Sequence, residues 1–456
     1  MKKIKAFTAG VLISAMSLSV FSCGETDETS KNSKQLDENV RNAVNDIALN
    51  SELLTGELEN KTVKWMSDWD INPDFEGKDV AIDLAVFQER YGAEIEFHYV
   101  TYENRYEKLA EAINSGEGID FFYGGNLDAF PKGAVKEMFQ PVDDYIDFDS
   151  PLWEDVKDFN DSAMWNDGKH YLAITRATDS CVVIYNKKTI QEAGLEDPAE
   201  LYAKGEWDWD AFQSMLNKFV DPDNQKYGID GWFFEFGLMG TTGVPAVSLE
   251  NGKLINNLAD PNMERYQNWL YELYNTNCIA IGVGEYGWDD KPEYIGEGKL
   301  LFYPCGLYTF YTTDWKEKYG EDVFFVPMPK DPKADAYYTP TGLESYLIVN
   351  GAQNPEGAAK YLDCKRFVLL NDELRSYGDQ QMFDDYGWTQ EMFDMKDEVQ
   401  ALANENPVLD FSKGVSTDCG NLLDSNLRNA ARGIPWNETF DSIYDVVNTY
   451  IDEINK

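Results

Sequence analysis

The stretch from Tyr171 to Phe212 constrains the fold more than any other part of the chain. Strand and helix patterns alternate upstream of it. Within it, the strand formers Cys181-Val182-Val183-Ile184-Tyr185 leave through Asn186-Lys187, a helix pattern follows, and Asp208 in Trp207-Asp208-Trp209-Asp210 stands where it would cap the next helix. A buried-strand run that closes one alternating pattern and opens another marks the passage from a first lobe to a second, and two lobes imply a cleft. Length agrees, because 456 residues exceed what one hydrophobic core usually organises.

Charge and residue counts then remove whole classes of function. With 39 Lys and Arg against 82 Asp and Glu, the net charge is −43, a field that repels nucleic acid and anionic membrane surfaces. No nucleic-acid partner is expected, and the acidity suits the solvated surface of an exported protein. His98 and His170 are the only histidines, too few for a His-rich metal site or a paired-His mechanism. The cysteines at 23, 181, 278, 305, 364 and 419 show no C-x-x-C and no zinc spacing, so neither a metal nor a cofactor is expected. Setting Cys23 aside leaves an odd number, so at least one thiol stays free, and Cys181 and Cys364 read as small buried residues.

The chain opens as an export leader. Lys2, Lys3 and Lys5 precede an apolar run from Ala6 to Val20 that is too short to span a bilayer comfortably. Val20-Phe21-Ser22-Cys23-Gly24 resembles a bacterial lipoprotein box, which makes residues 1–22 a signal peptide and Cys23 the lipidation site; ordinary cleavage with a free Cys is the alternative. Residues 24–35, GETDETSKNSKQ, are polar and aperiodic, as in a tether. Leu36, Val40, Val44 and Ile47 follow at helical spacing, so residues 23–60 read as an anchored tether plus a short amphipathic helix packing on one lobe.

From Lys61 a βαβ rhythm begins. Thr62 to Met66 reads as a strand, Asp79 to Tyr91 as a helix ended by Gly92, Glu94 to Val100 as a strand, Asn104 to Asn114 as a helix, and Ile119 to Tyr123 as a strand stopping at Gly124-Gly125. Ligands of such sheets bind beyond the carboxyl ends of the strands, which singles out Asp68 and Trp69 after the first strand and Asn126 and Asp128 after the third. The competing reading of these four is turn chemistry. Three other signals fail on context. Gly282 to Gly287 spells G-x-G-x-x-G but opens no helix; Asp221-Pro222-Asp223-Asn224 lacks the alternating ligands of a calcium loop; and the adjacent carboxyls Asp143-Asp144 and Asp384-Asp385 cannot flank a scissile bond.

The order of several short motifs resembles the extracellular solute-binding proteins of sugar-importing ABC transporters, the group that contains maltose-binding protein. The pieces are Trp65 in a first strand, Gly133 to Asp144, Asp167-Gly168-Lys169-His170-Tyr171 before Cys181 to Lys187, and Trp207 to Phe212. Tyr227-Gly228-Ile229, Gly296-Glu297-Gly298-Lys299 before Pro304-Cys305-Gly306, and Asn354 to Ala359 complete them. The resemblance implies an α/β, two-lobed periplasmic-binding-protein type II fold, each lobe a mixed sheet flanked by helices, with a multi-crossing hinge. Crossings are expected near Ala173 to Ser180, near Val326 to Pro332 and after the Glu356 to Leu370 helix. The implied N-terminal lobe is residues 61–175 plus 330–375, and the C-terminal lobe residues 176–329 plus 376–456.

What the resemblance implies about function is capture without chemistry. A monomer, anchored on the outer face of the bacterial cytoplasmic membrane (the periplasmic side in a Gram-negative source), closes on a carbohydrate, in particular an oligosaccharide, and hands it to ABC permease subunits. A sugar offers an apolar C–H face to aromatic rings and hydroxyls to amides and charges. Trp232, in Gly231-Trp232-Phe233-Phe234-Glu235, lies where family members place cleft aromatics. Tyr308, in Gly306-Leu307-Tyr308, takes the place of an aromatic that is often Trp in the family, and Glu344 stands at the return to the first lobe. With Asp68, Trp69, Asn126 and Asp128 they form the expected ligand site, while Trp436 and the tryptophans at 207 and 209 are expected in the core. A polyamine or other non-sugar solute is the alternative cargo, and a secreted carbohydrate-active hydrolase the alternative class.

Overall fold

Alternating burial along the first strands sets the first sheet. The structure, a computed structural model, describes residues 36–72, 80–179, 181–312 and 314–456. The leader, Cys23, the tether to Gln35, Asp79 at the expected helix start and Ser180 at the end of the expected first crossing lie outside them. β1 (Thr62–Ser67) buries Val63 and Trp65 and runs parallel to β2 (Glu94–Tyr99), in register from Thr62 opposite Glu94 to Ser67 opposite Tyr99. Between them the helix Ile82–Tyr91 ends at Gly92, whose φ of 58° is the left-handed turn a glycine adopts without strain. The helix Arg105–Ser115 leads to β3 (Phe121–Tyr123), parallel to β1 on its other side. The helix Glu38–Leu49, expected from its spacing, packs Val44 and Ala48 against the helix Ile82–Tyr91.

β4 (Phe139–Gln140) and β5 (Leu172–Asp179) then join this sheet, whose centre is a later strand. β6 (Val182–Asn186) is buried at all five positions in a second sheet, and Asn186 caps the helix after it by accepting from the Thr189 N–H at 3.1 Å. Asp208 caps the helix Trp209–Phe219 as its sequence predicts, accepting from the Ala211 N–H at 2.9 Å. Trp207 is buried and donates to the Pro327 carbonyl at 2.8 Å; Trp209 stacks on Trp269 with ring centroids 4.1 Å apart; Trp436 is buried as well. β7 (Tyr227–Ile229), the hairpin of β8 (Val247–Glu250) and β9 (Lys253–Asn256), β10 (Leu300–Cys305) and β11 (Val323–Pro327) follow. The second sheet runs β11-β6-β10-β7, antiparallel except between β10 and β7.

The chain returns to the first sheet with β12 (Thr339–Val349), which pairs antiparallel with β3, β4 and β5, and with β13 (Pro407–Val408) in parallel. Crossings are therefore seen between Asp179 and Val182 and between Pro327 and Thr339. A third runs through the helix Asp372–Tyr386: the helix Pro355–Leu370 before it packs on Ile82–Tyr91, while Trp388 after it packs on Phe310 and Phe325. The result is a two-lobed α/β fold, two mixed sheets flanked by helices and joined by a multi-crossing hinge.

The discounted motifs have structural explanations. Gly282, Gly284 and Gly287 sit at positive φ in a turn closed by the Gly282 N–H on the Gly287 carbonyl at 2.7 Å, and the next helix opens only at Glu293. Pro222–Asn224 is a short 3-10 turn between a helix and β7. Asp143 holds His170 at 2.8 Å. The five cysteines of the described residues are free and buried, Cys181 and Cys364 among them.

Candidate functional site

Between the two sheets lies a cleft of about 1750 Å³, against roughly 300–1,000 Å³ for ordinary small-ligand pockets. Its first-sheet wall carries Tyr102 after β2, Tyr123 and Asn126 at the end of β3, and Arg176 on β5. Its second-sheet wall carries Phe233, Phe236, Tyr308 and Tyr311. Side chains of the helices Asp372–Tyr386 and Gln390–Glu405, including Lys396 and Gln400, close the remaining side. The walls thus alternate apolar rings with amide and charged groups.

Backbone crowding makes the floor possible. A Cβ on Gly125 would come 2.1 Å from the Leu343 carbonyl oxygen and 2.3 Å from the Tyr123 hydroxyl, so only glycine lets the turn after β3 lie against β12.

Of the seven residues singled out by sequence, Asn126 and Tyr308 line the cleft; Tyr308 is 54% exposed. Trp69 and Trp232, 42% and 60% exposed, stand beside lining rings rather than among them. Trp69 meets Tyr123 edge-on at 6.1 Å, and the indole N–H of Trp65 fixes the Trp69 carbonyl at 3.1 Å. Trp232 meets Phe233 edge-on at 6.3 Å. Asp68 is exposed beside Ser67, away from the cleft lining.

Asp128 and Glu344 are engaged by cations of the protein. Asp128 is buried and paired with Arg105, whose guanidinium lies 3.5 Å from the centroid of the Tyr102 ring, so the carboxylate steadies a cleft aromatic from behind. Glu344 accepts from Arg176 Nε at 2.6 Å and from Lys365 Nζ at 2.8 Å. Burial alone would raise the Glu344 carboxyl, but the two cations outweigh it and hold it far below the ordinary carboxylate range. A third pair supports the opposite wall: Glu235, buried, accepts from Arg428 at 3.0 Å, and Arg428 also donates to the Trp232 carbonyl at 3.3 Å. Burial pushes the Glu235 carboxyl up to about 7, with Arg428 opposing.

Tyr102, Tyr123, Arg176, Phe233, Phe236 and Tyr311 escaped the reading of the sequence. Arg176 did leave a signal, a lone charge inside Leu172-Ala173-Ile174-Thr175-Arg176-Ala177. Among the described residues no group of three or more His, Cys, Asp or Glu could hold a metal ion, and no helix is long and apolar enough to cross a membrane.

Residues 84–375 match the family model described as bacterial extracellular solute-binding protein. A maltotriose-binding protein of Pyrococcus abyssi (strain GE5 / Orsay) is 30% identical over 223 residues, 48% of this chain and 37% of that relative, so the match spans little more than a third of the relative's length. The fold is similar to a cyclo/maltodextrin-binding protein complexed with maltotetraose (TM-score 0.59, 16% identity, 88% of this chain and 98% of that one). It is also similar to an ABC transporter associated binding protein from B. animalis subsp. lactis Bl-04 in complex with beta-1,6-galactobiose (TM-score 0.60, 16% identity, 87% and 99%). At these identities the structural likeness speaks for the fold, and the family match for membership: the chain belongs to the bacterial extracellular solute-binding protein family.

Proposed function

We propose that this protein is a monomeric, lipid-anchored extracytoplasmic receptor that captures an oligosaccharide in the cleft by hinge closure and delivers it to an ABC importer, without making or breaking a bond. The observation that carries this reading is the large cleft walled by Tyr102, Tyr123, Phe233, Tyr308 and Tyr311 with Asn126 and charged groups between them. Rings accept the C–H faces of sugars, and amide and charged side chains satisfy hydroxyls that would otherwise be buried unpaired. The maltotriose-binding relative and the sugar-bound structures of the same fold support this cargo class. In this reading Trp69 and Trp232, next to lining rings, meet the ligand as the lobes close, and Asp68 follows with its strand end. Asp128 and Glu344 act through the arginines they hold.

Titration with maltotriose, maltotetraose, β-1,6-galactobiose and spermidine, followed by tryptophan fluorescence, calorimetry and product analysis, tests the reading. Saturable binding of a neutral sugar with no product is expected. Turnover beyond one equivalent would make the protein a hydrolase, and binding of spermidine alone would replace the cargo class. Tyr308→Ala is expected to weaken sugar binding about 5- to 100-fold, the range of one stacking contact.

A further inference from the structure

Arg176 stands at the open end of a charge chain that crosses the first lobe. Asp83, on the helix Ile82–Tyr91, accepts from Lys365 Nζ at 2.5 Å; Lys365, on the helix Pro355–Leu370, donates to Glu344 Oε1 at 2.8 Å; and Glu344 Oε2 accepts from Arg176 Nε at 2.6 Å. Glu344 Oε1 also accepts from the Tyr346 hydroxyl at 3.3 Å. Glu344 therefore has both oxygens engaged. Arg176 does not: one nitrogen of its guanidinium is fixed, while no protein acceptor among the described residues takes its Nη1 or Nη2. Its side chain is 43% exposed, and it lines the cleft. An arginine gripped through Nε presents the other edge of its planar fork as a rigid pair of donors.

The charges along the chain, two carboxylates and two cations, sum to zero, so the donors are offered without an uncompensated positive charge. Three of the four other cations of the cleft wall are also matched: Arg366 pairs with Asp155, Arg375 with Asp372, and Lys396 with Asp379 at 3.3 Å; Lys413, exposed, has no ion pair among the described residues. Aspartates, with Asp158, Asp397, Asp410 and Asp424 besides these, outnumber Lys and Arg around the cleft. A carboxylate or sulfate entering it would meet no net attraction, whereas a neutral oxygen acceptor would meet two preset donors.

Resting on the carbohydrate reading above, we propose that Arg176 is a specificity-determining residue whose two free guanidinium nitrogens anchor hydroxyl or ring oxygens of an uncharged sugar, and that acidic sugars are not the cargo.

The test compares the full chain with Arg176→Ala and Arg176→Lys in calorimetric titrations with maltotetraose, β-1,6-galactobiose and trigalacturonate, with thermal unfolding as the check on folding. Arg176→Ala is expected to weaken neutral-sugar binding about 10- to 100-fold, the range for a hydrogen bond to a charged group. Arg176→Lys keeps a cation beside Glu344 but not the fork, and is expected to recover only part of that loss. Trigalacturonate is expected to bind the unaltered protein at least tenfold more weakly than the neutral sugar that binds best. Unchanged affinity in both folded variants overturns the anchoring role, and tighter binding of trigalacturonate overturns the neutral-ligand assignment. If neither neutral sugar binds the unaltered protein, the carbohydrate reading itself fails and takes this ligand class with it. Binding to the unaltered protein with no loss in Arg176→Ala fails the present inference alone.

Discussion

Three arginines on or behind the cleft walls are each gripped by a carboxylate: Arg105 by Asp128, Arg176 by Glu344 and Arg428 by Glu235. The third pair has a consequence for stability. Burial raises the Glu235 carboxyl to about 7 despite Arg428, and burial raises nearby Asp230 to about 6, with the Tyr286 hydroxyl donating to it at 2.6 Å. In the unfolded chain both carboxyls titrate near their ordinary values, roughly 4. Between those values and the raised ones the folded state binds more protons, so stability falls as pH rises from about 4 to about 7. Glu344 works in the opposite direction, but with its carboxyl held low its contribution is fully present above about pH 5 and does not alter the slope there. Glu235→Gln is expected to flatten the decline between pH 5 and 7.5 by on the order of 2–3 kcal/mol, as read by urea unfolding. Parallel stability curves for variant and parent would refute this account. The same pairs show why side-chain roles were only partly legible in sequence. Sequence singles out Asp128 by its place after a strand and Glu344 by its place at the return to the first lobe, but Arg105 and Arg176 lie 23 and 168 residues away in the chain, where no local pattern can reveal them.

Elements set by local signals were legible: β6 from its run of strand formers, the helix Trp209–Phe219 from its Asp208 cap, the helix Ile82–Tyr91 from Gly92 at its end. Pairings made by distant segments were not, and the hinge is built from them. The segment expected to cross between lobes, residues 173–180, is a strand as far as Asp179, paired antiparallel with β12 from Leu347 opposite Leu172 to Thr341 opposite Asp179. A register shift between Glu344 and Ser345 breaks that ladder one step from the Arg176–Glu344 pair, and the buried Ser345 hydroxyl there has no partner among the described residues. Because β5 and β12 share one ladder, the hinge closure proposed above is expected to carry them with the first lobe and to bend the three connections that leave it: between Asp179 and Val182, between Pro327 and Thr339, and through the helix Asp372–Tyr386. A ligand that touches Arg176 on one side and Tyr308 on the other binds the closed arrangement better than the open one and shifts the population towards it. Small-angle X-ray scattering is expected to give a smaller radius of gyration when maltotetraose saturates the protein. An unchanged radius at calorimetric saturation would leave hinge closure without support.

At the scale of the whole molecule, the charge that argues against nucleic acid also bears on the proposed membrane anchor. A chain of net charge −43 is repelled by an anionic bilayer surface, which argues against purely electrostatic attachment. The twelve polar residues 24–35 cannot reach farther than roughly 40 Å, which sets the longest tether the proposed anchor could have. In the lipid-anchored reading proposed above, attachment would depend on acyl chains at Cys23, and since one chain holds only marginally, that reading calls for more than one. Salt distinguishes this arrangement from peripheral binding: screening weakens an electrostatic hold and leaves an acyl anchor intact, while here it also relieves the repulsion. The parent protein is expected to remain in the membrane fraction through a 1 M salt wash and to leave it with detergent, whereas Cys23→Ser is expected in the soluble fraction, with affinity for neutral oligosaccharides unchanged because the cleft is far along the chain from the tether. Release of the parent by salt, or retention of Cys23→Ser with its leader removed, would overturn the anchor and require a partner protein to hold this acidic receptor at the cell surface.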